Sequence, residues 1–208
     1  LKLADIRLQV IREAKILGAT CTKSYLSAKD LGQFDLVIID EASMVLMPMV
    51  WFVSGLSKEK VVICGDFCQI PPIVQTNQQA IFDILGHNIF EVVVGLENDP
   101  RTNNNMVMLD EQFRMGPSIC NLITKPMYGG ALKTATARLT VGRLELPKPF
   151  HEGLTIVDTS DIWPFESNNA FHSRYNLMHA LLVRNLTWHL HQKGAIDSIK
   201  DLGICTPY

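Results

Sequence analysis

Apolar residues along the chain gather in short runs separated by polar, turn-forming stretches, and the runs follow two different periods. Leu36-Val37-Ile38-Ile39 and Val61-Val62-Ile63-Cys64 are continuous and rich in β-branched residues, the pattern of strands buried on both faces. Around them, Leu8 to Ala14 reads as the end of a helix. Lys15 to Thr20 reads as a short strand running into a polar turn, Cys21-Thr22-Lys23-Ser24. Met44 to Leu56 is apolar enough for a helix, with Pro48 tolerable only in a first turn or at a kink. Asn77 to Leu85 has helical spacing, with Ile81, Ile84 and Leu85 on one face. Repeated strand, helix, strand with short connections predicts a parallel sheet.

The periodicity lapses at Glu97-Asn98-Asp99-Pro100-Arg101-Thr102-Asn103-Asn104-Asn105, a polar, turn-rich stretch that makes the best internal boundary. The chain is therefore expected to divide into residues 1–100 and 101–208. In the second part the pattern predicts strands at Met106–Asp110, Leu154–Asp158 and Leu202–Thr206, and a helix over Pro117–Met127 with Pro at its start. The longest helical pattern runs from Arg174 to Lys193, with Ser173 as its N-cap and Gly194 as its stop. The class is α/β, and no internal repeat interrupts it.

Composition agrees with a globular α/β chain. Of 208 residues 47% are apolar and 19% charged, so a core is expected. No apolar run approaches the roughly 20 residues needed to span a bilayer. The first residues, Leu1-Lys2-Leu3-Ala4-Asp5-Ile6-Arg7, lack the apolar segment and cleavage site of a signal peptide, and both ends read as cut. Cys21, Cys64, Cys68, Cys120 and Cys205 are odd in number and lie mostly in apolar contexts, as reduced thiols of a cytoplasmic or, in a eukaryote, nuclear protein would. No second Cys pair accompanies Cys64 and Cys68, so structural zinc is not expected. The net charge of −2 argues against bulk adhesion to nucleic acid but leaves room for a local basic groove.

The chemistry sits where the two apolar runs end. The first closes in Asp40-Glu41, the second in Gly65-Asp66-Phe67-Cys68-Gln69-Ile70-Pro71-Pro72. Open α/β sheets present catalytic groups to ligands at the carboxyl ends of their strands, so the pairing points to nucleotide chemistry. Asp40-Glu41-Ala42-Ser43 resembles the acidic element with which P-loop nucleoside triphosphatases hold Mg²⁺ and orient water. Two adjacent carboxylates suit two tasks, one reaching the metal shell and the other accepting a proton from water. A solvated acidic turn after a strand is the bland alternative.

Residues 65–72 also resemble motif III of superfamily 1 helicases, and Leu109-Asp110-Glu111-Gln112-Phe113-Arg114-Met115 with Pro117-Ser118-Ile119 resembles their motif IV. Tyr128-Gly129-Gly130-Ala131-Leu132, Ser173-Arg174-Tyr175-Asn176 and Ile204-Cys205-Thr206-Pro207-Tyr208 follow in the order seen in the Upf-like 5′→3′ branch, and Gly18-Ala19-Thr20-Cys21-Thr22 resembles the element before motif II. The resemblance covers nearly the whole chain and implies parts of two tandem RecA-like domains with parallel sheets flanked by helices. It implies ATP and Mg²⁺ as ligands, with Asp40 on the metal, Glu41 as general base, Gln69 sensing the γ-phosphate and Arg114 as an arginine finger. Gly65, Asp66 and Gln112 would join Asp40 in the nucleotide set. An arginine's planar, permanently charged fork suits phosphate oxygens. A salt bridge to Asp110 or Glu111 is the alternative for Arg114.

The resemblance further implies single-stranded nucleic acid as partner, DNA ahead of RNA, with Thr20, Thr22, Pro71, Pro72, Thr206 and Pro207 near its phosphates and sugars. Turn chemistry accounts for the same residues. Tyr175, Trp188 and Trp163 could stack on bases, although aromatics beside helical apolar stripes are more often core. Two departures stand out. Residues 1–39 contain no G-x-x-x-x-G-K-[ST], and motifs V and VI are expected beyond Tyr208, so the 208 residues are not expected to hydrolyse ATP by themselves. His179-Ala180 stands where relatives often have an acid before the Ala. A catalytically silent binding module and a P-loop transferase are the competing readings. Intact Asp40, Glu41, Gln69 and Arg114 weigh against the first, and residues 69–72 and 112–115 have no place in the second.

Overall fold

The computed structural model describes residues 3–95, 99–139, 146–150, 153–162, 166–169, 174–197, 200 and 202–206. The chain forms two compact units, Leu1–Met108 and Leu109–Tyr208.

In the first unit, α1 (Leu3–Glu13) precedes α2 (Cys21–Leu26) and α3 (Ala28–Leu31). β1 (Phe34–Ile39) follows, then α4 (Met47–Ser54), β2 (Ser57–Ile63), α5 (Gln79–Leu85) and α6 (Ile89–Val94). β1 and β2 pair in parallel with Val37, Ile38 and Ile39 opposite Val61, Val62 and Ile63, and α4 makes the crossover, as expected for a βαβ unit. Pro48 lies in the first turn of α4, where its missing N–H costs nothing. Alternation sorts the strand residues. Val37, Ile39, Val61 and Ile63 join a core with Met47, Val50, Val53, Ala42 and Ile89. Leu36, Ile38 and Val62 point to the opposite face and are exposed. Tyr25 of α2 meets Phe52 of α4 edge to face at 5.4 Å, which ties the first helices to the same core.

In the second unit, β3 (Glu111–Gln112) pairs in parallel with β4 (Lys133–Thr134), and α7 (Pro117–Tyr128) connects them. Pro117 opens α7, and Gly129 at φ 60° closes it in the left-handed conformation that glycine adopts without a Cβ clash. Cys120 and Ala135 are buried, and Thr124 Oγ1 donates to Leu132 O at 2.7 Å, holding α7 on β4. A short antiparallel pair, β5 (Ser167–Asn168) with β6 (Arg174–Tyr175), precedes α8 (Leu177–Gln192). Parallel strand pairs linked by helices make the chain α/β, consistent with RecA-like domains.

Several elements differ from the pattern-based expectation. Lys15–Thr20 is not a strand but an exposed connection, and the polar turn at 21–24 is the first turn of α2. Met106–Asp110, Leu154–Asp158 and Leu202–Thr206 belong to no strand among the described residues, with Val107, Leu109, Ile156 and Ile204 exposed, although Asp110 O accepts from Lys133 N–H at 2.7 Å beside β3. An apolar run becomes a strand only where a neighbour accepts its backbone hydrogen bonds. Arg174 and Tyr175 lie in β6, so the last helix starts later than expected. Asn176 is its N-cap, accepting from His179 N at 2.9 Å, while Ser173 lies outside the described residues. Part of the polar stretch at 97–105, Glu97 and Asn98, also lies outside them. Ile84, expected on a packed face of α5, is exposed.

Candidate functional site

The ends of β1 and β2 stay in register past the last strand residues. Cys64 N–H donates to Ile39 O at 2.8 Å, and Ala42 N–H donates to Cys64 O at 2.9 Å. The backbone carrying Asp40, Glu41 and Ala42 is thereby laced to the backbone entering Gly65. Gly65 is in tight contact there, since a Cβ on it would lie 3.0 Å from Ser43 N, 3.1 Å from Ala42 N and 2.9 Å from Phe90 Cε2. The expected glycine thus permits the close approach of the two strand ends.

Both carboxylates are exposed. Asp40 Oδ1 accepts from Glu41 N–H at 3.0 Å. Glu41 has φ 52° and ψ 35°, a left-handed conformation, and it begins the 3₁₀ turn Ala42–Met44. A non-glycine residue there is held against its own preference, and such residues cluster at functional sites. Ser43 is fully buried in that turn, and its Oγ has no hydrogen-bond partner among the described residues.

The segment after Gly65 is organised by Asp66. Its Oδ1 accepts from Cys68 N–H at 3.0 Å, its carbonyl accepts from Gln69 N–H at 3.0 Å, and its Oδ2 accepts from Gln69 Nε2 at 2.8 Å. The exposed Gln69 carboxamide is thus held by the side chain three residues before it. Burial, and then the Asp66 charge, push the Cys68 thiol up from its ordinary pKa. Pro72 is buried and Pro71 exposed.

In the second unit the segment between β3 and α7 carries Arg114, whose side chain is exposed. Gln112 Oε1 accepts from Arg114 N–H at 2.9 Å and Met115 N–H at 2.6 Å, while Gln112 Nε2 donates to Met115 O at 2.9 Å and Thr134 Oγ1 at 3.0 Å. Arg138 Nη2 donates to Arg114 O at 3.1 Å. Asp110, one acidic neighbour weighed as a partner for Arg114, pairs with Lys133 instead at 3.7 Å. Thr134 and Arg138 escaped the sequence reading because no motif marks them, and they reach the Arg114 segment only through β3–β4 pairing.

The residues expected near nucleic acid have local roles as well. Thr20 Oγ1 accepts from Lys23 N–H at 3.1 Å as N-cap of α2, Thr22 is exposed in that helix, and Thr206 is exposed. Pro207 and Trp163 lie outside the described residues. Tyr175 and Trp188 are 52% and 63% exposed, so neither is core. His179 Nε2 and Thr159 Oγ1 are 3.0 Å apart.

Two AAA-domain family models match the chain, one over residues 3–77 and the other over 85–208. The chain belongs to the superfamily 1 helicases. Within that family its matches are of the Upf1 and Dna2 kind. It is 34% identical over 207 residues to the 3′-5′ exoribonuclease HELZ2 of Mus musculus, covering 90% of this chain and 6% of that protein. It is 30% identical over 162 residues to the DNA replication ATP-dependent helicase/nuclease dna2 of Schizosaccharomyces pombe, covering 77% of this chain and 11% of that protein. The regulator of nonsense transcripts 1 homolog of Neurospora crassa is 25% identical over 203 residues, covering 96% of this chain and 18% of that protein. The chain therefore spans between 6% and 18% of the length of these relatives.

Proposed function

We propose that the protein carrying this chain is an ATP-dependent helicase or translocase that couples hydrolysis to movement on single-stranded nucleic acid, DNA ahead of RNA. The cysteines, read as reduced thiols, support a cytoplasmic location, or a nuclear one in a eukaryote. The observation that carries the reading is the paired acidic strand end, Asp40 and left-handed Glu41, laced to the strand end that leads into Gly65, Asp66 and Gln69. Family membership supports the same reaction, as does the helicase/nuclease named among the relatives.

The residues fit a magnesium nucleotide. Asp40 keeps Oδ2 free of partners among the described residues while Oδ1 is tied to the backbone, which suits it to a hard cation that takes oxygen ligands. When bound, Mg²⁺ supplies positive charge against the β- and γ-phosphate oxygens. Glu41 accepts the proton of the attacking water, a role open to an exposed carboxylate at the strand end, and its left-handed backbone sets where the side chain leaves the chain. Gln69, oriented by Asp66, senses the γ-phosphate and transmits its state to the strand-binding loop at Pro71 and Pro72. Arg114 stabilises charge on the transferring phosphoryl group, and a finger of this kind is worth about a thousandfold or more in rate. Gln112, with its carboxamide committed to the Arg114 segment, serves the nucleotide through that arginine. Thr20, Thr22, Thr206 and Pro207 meet phosphates and sugars and so position the strand without reading its sequence.

The test is phosphate release by the full-length protein with and without single-stranded oligonucleotide. Turnover is expected to rise at least about tenfold with the strand, DNA exceeding RNA, and to fall with added salt as phosphate contacts weaken. ATP turnover indifferent to either nucleic acid would overturn the proposal.

A further inference from the structure

We infer that Arg138 is a positioning residue for Arg114, holding the peptide from which the proposed finger projects. The inference rests on the finger reading of Arg114. Arg114 lies between β3 and α7, in neither a helix nor a strand, so no ladder fixes its backbone. Side chains fix it instead. Gln112 Oε1 takes its N–H at 2.9 Å, and Arg138 Nη2 donates to its carbonyl at 3.1 Å. The two peptide groups flanking the Arg114 Cα are thereby anchored from different places in the sequence. One anchor comes from two residues upstream on β3, the other from the 3₁₀ turn Thr136–Arg138 just after β4. β4 is itself bound to β3, and Thr134 on it accepts from Gln112 Nε2, so both anchors share one small frame.

Arg138 is an expensive choice for a purely structural tie. Its Nε is buried and has no acceptor among the described residues, so part of a charged fork is desolvated without compensation. A shorter or neutral side chain in that turn would avoid the cost but would not reach the Arg114 carbonyl with a charged donor, the stronger kind. What the residue achieves at that cost is rigidity at the root of Arg114. An arginine acting on a phosphoryl group loses rate steeply when its root shifts, since a displacement of about 1 Å can cost about a hundredfold.

The experiment is a double-mutant cycle in the full-length protein, with single-strand-stimulated ATP turnover as readout and folding checked by circular dichroism. Arg138→Ala is expected to lower kcat by about 10- to 100-fold while KM for ATP and strand affinity stay within about twofold. Arg114→Ala should lower kcat further. The double variant should be no slower than Arg114→Ala alone, because a positioning residue has nothing left to position. Wild-type kcat in Arg138→Ala, a loss confined to KM, or losses that multiply in the double variant would each overturn the inference. Normal turnover in Arg114→Ala would instead sink the finger reading itself. Should Arg138→Ala not fold, Arg138→Lys, which keeps the stem and charge but not the fork, carries the same cycle with a smaller expected loss.

Discussion

Glu41 is the only non-glycine residue with positive φ among the described residues, and it is one of the two carboxylates expected to do the chemistry. A left-handed glutamate costs on the order of 1 kcal/mol, and the surrounding turn must over-determine it. The close contact at Gly65 belongs to the same constraint. Gly65→Ala should place a methyl group against backbone nitrogens of Ala42 and Ser43, which cannot rotate away as a side chain can. The expected result is a loss of about 1–3 kcal/mol in thermal unfolding together with collapse of ATP turnover. A variant with native stability and native turnover would show that the strand ends need no such approach. At this scale the sequence nominates Asp40 and Glu41 by their place at a strand end, and Gln69 and Arg114 by the motifs they stand in. The left-handed backbone of Glu41 and the grip of Arg138 on Arg114 were not legible in it. Both arise from contacts made only after the strands pair.

Among elements, helix ends were legible where side chains write them. Pro117 opens α7 as expected, Gly129 closes it one residue beyond the expected end, and Asn88 with Glu91 forms a capping box on α6, a helix that the sequence reading did not place although its N-x-x-E spacing signals one. Asn88 is 2% exposed, and its Oδ1 accepts from both Phe90 N–H and Glu91 N–H, at 3.0 and 3.1 Å. Asn88→Ala should therefore cost about 1–2 kcal/mol, lowering the unfolding midpoint by several degrees, as followed by circular dichroism. An unchanged midpoint would mean that α6 is held by Ile89 and its core contacts alone. Strands were legible only in part. The runs at 36–39 and 61–64 find each other, as parts of β1 and β2, whereas those at 106–110, 154–158 and 202–206 have the composition of strands and belong to none among the described residues. Apolar content shows which segments can enter a sheet, but pairing needs a second edge, which composition does not encode.

At the scale of the whole molecule, the chain is an α/β member of the superfamily 1 helicases, with the acidic strand end in the unit Leu1–Met108 and Arg114 in the unit Leu109–Tyr208. Among the described residues no helix is long and apolar enough to cross a membrane. The family was legible because its motifs are sequence-local and ordered along the chain. The central claim, that the end of β1 is the catalytic centre of a strand-stimulated ATPase, is tested most directly by Glu41→Gln in the full-length protein. The substitution keeps shape and removes the base. ATP turnover should fall by about 10²- to 10⁴-fold while the dissociation constants for ATP and single strand stay within about threefold of the parent. Turnover close to that of the parent would contradict the claim and remove Glu41 from the reaction.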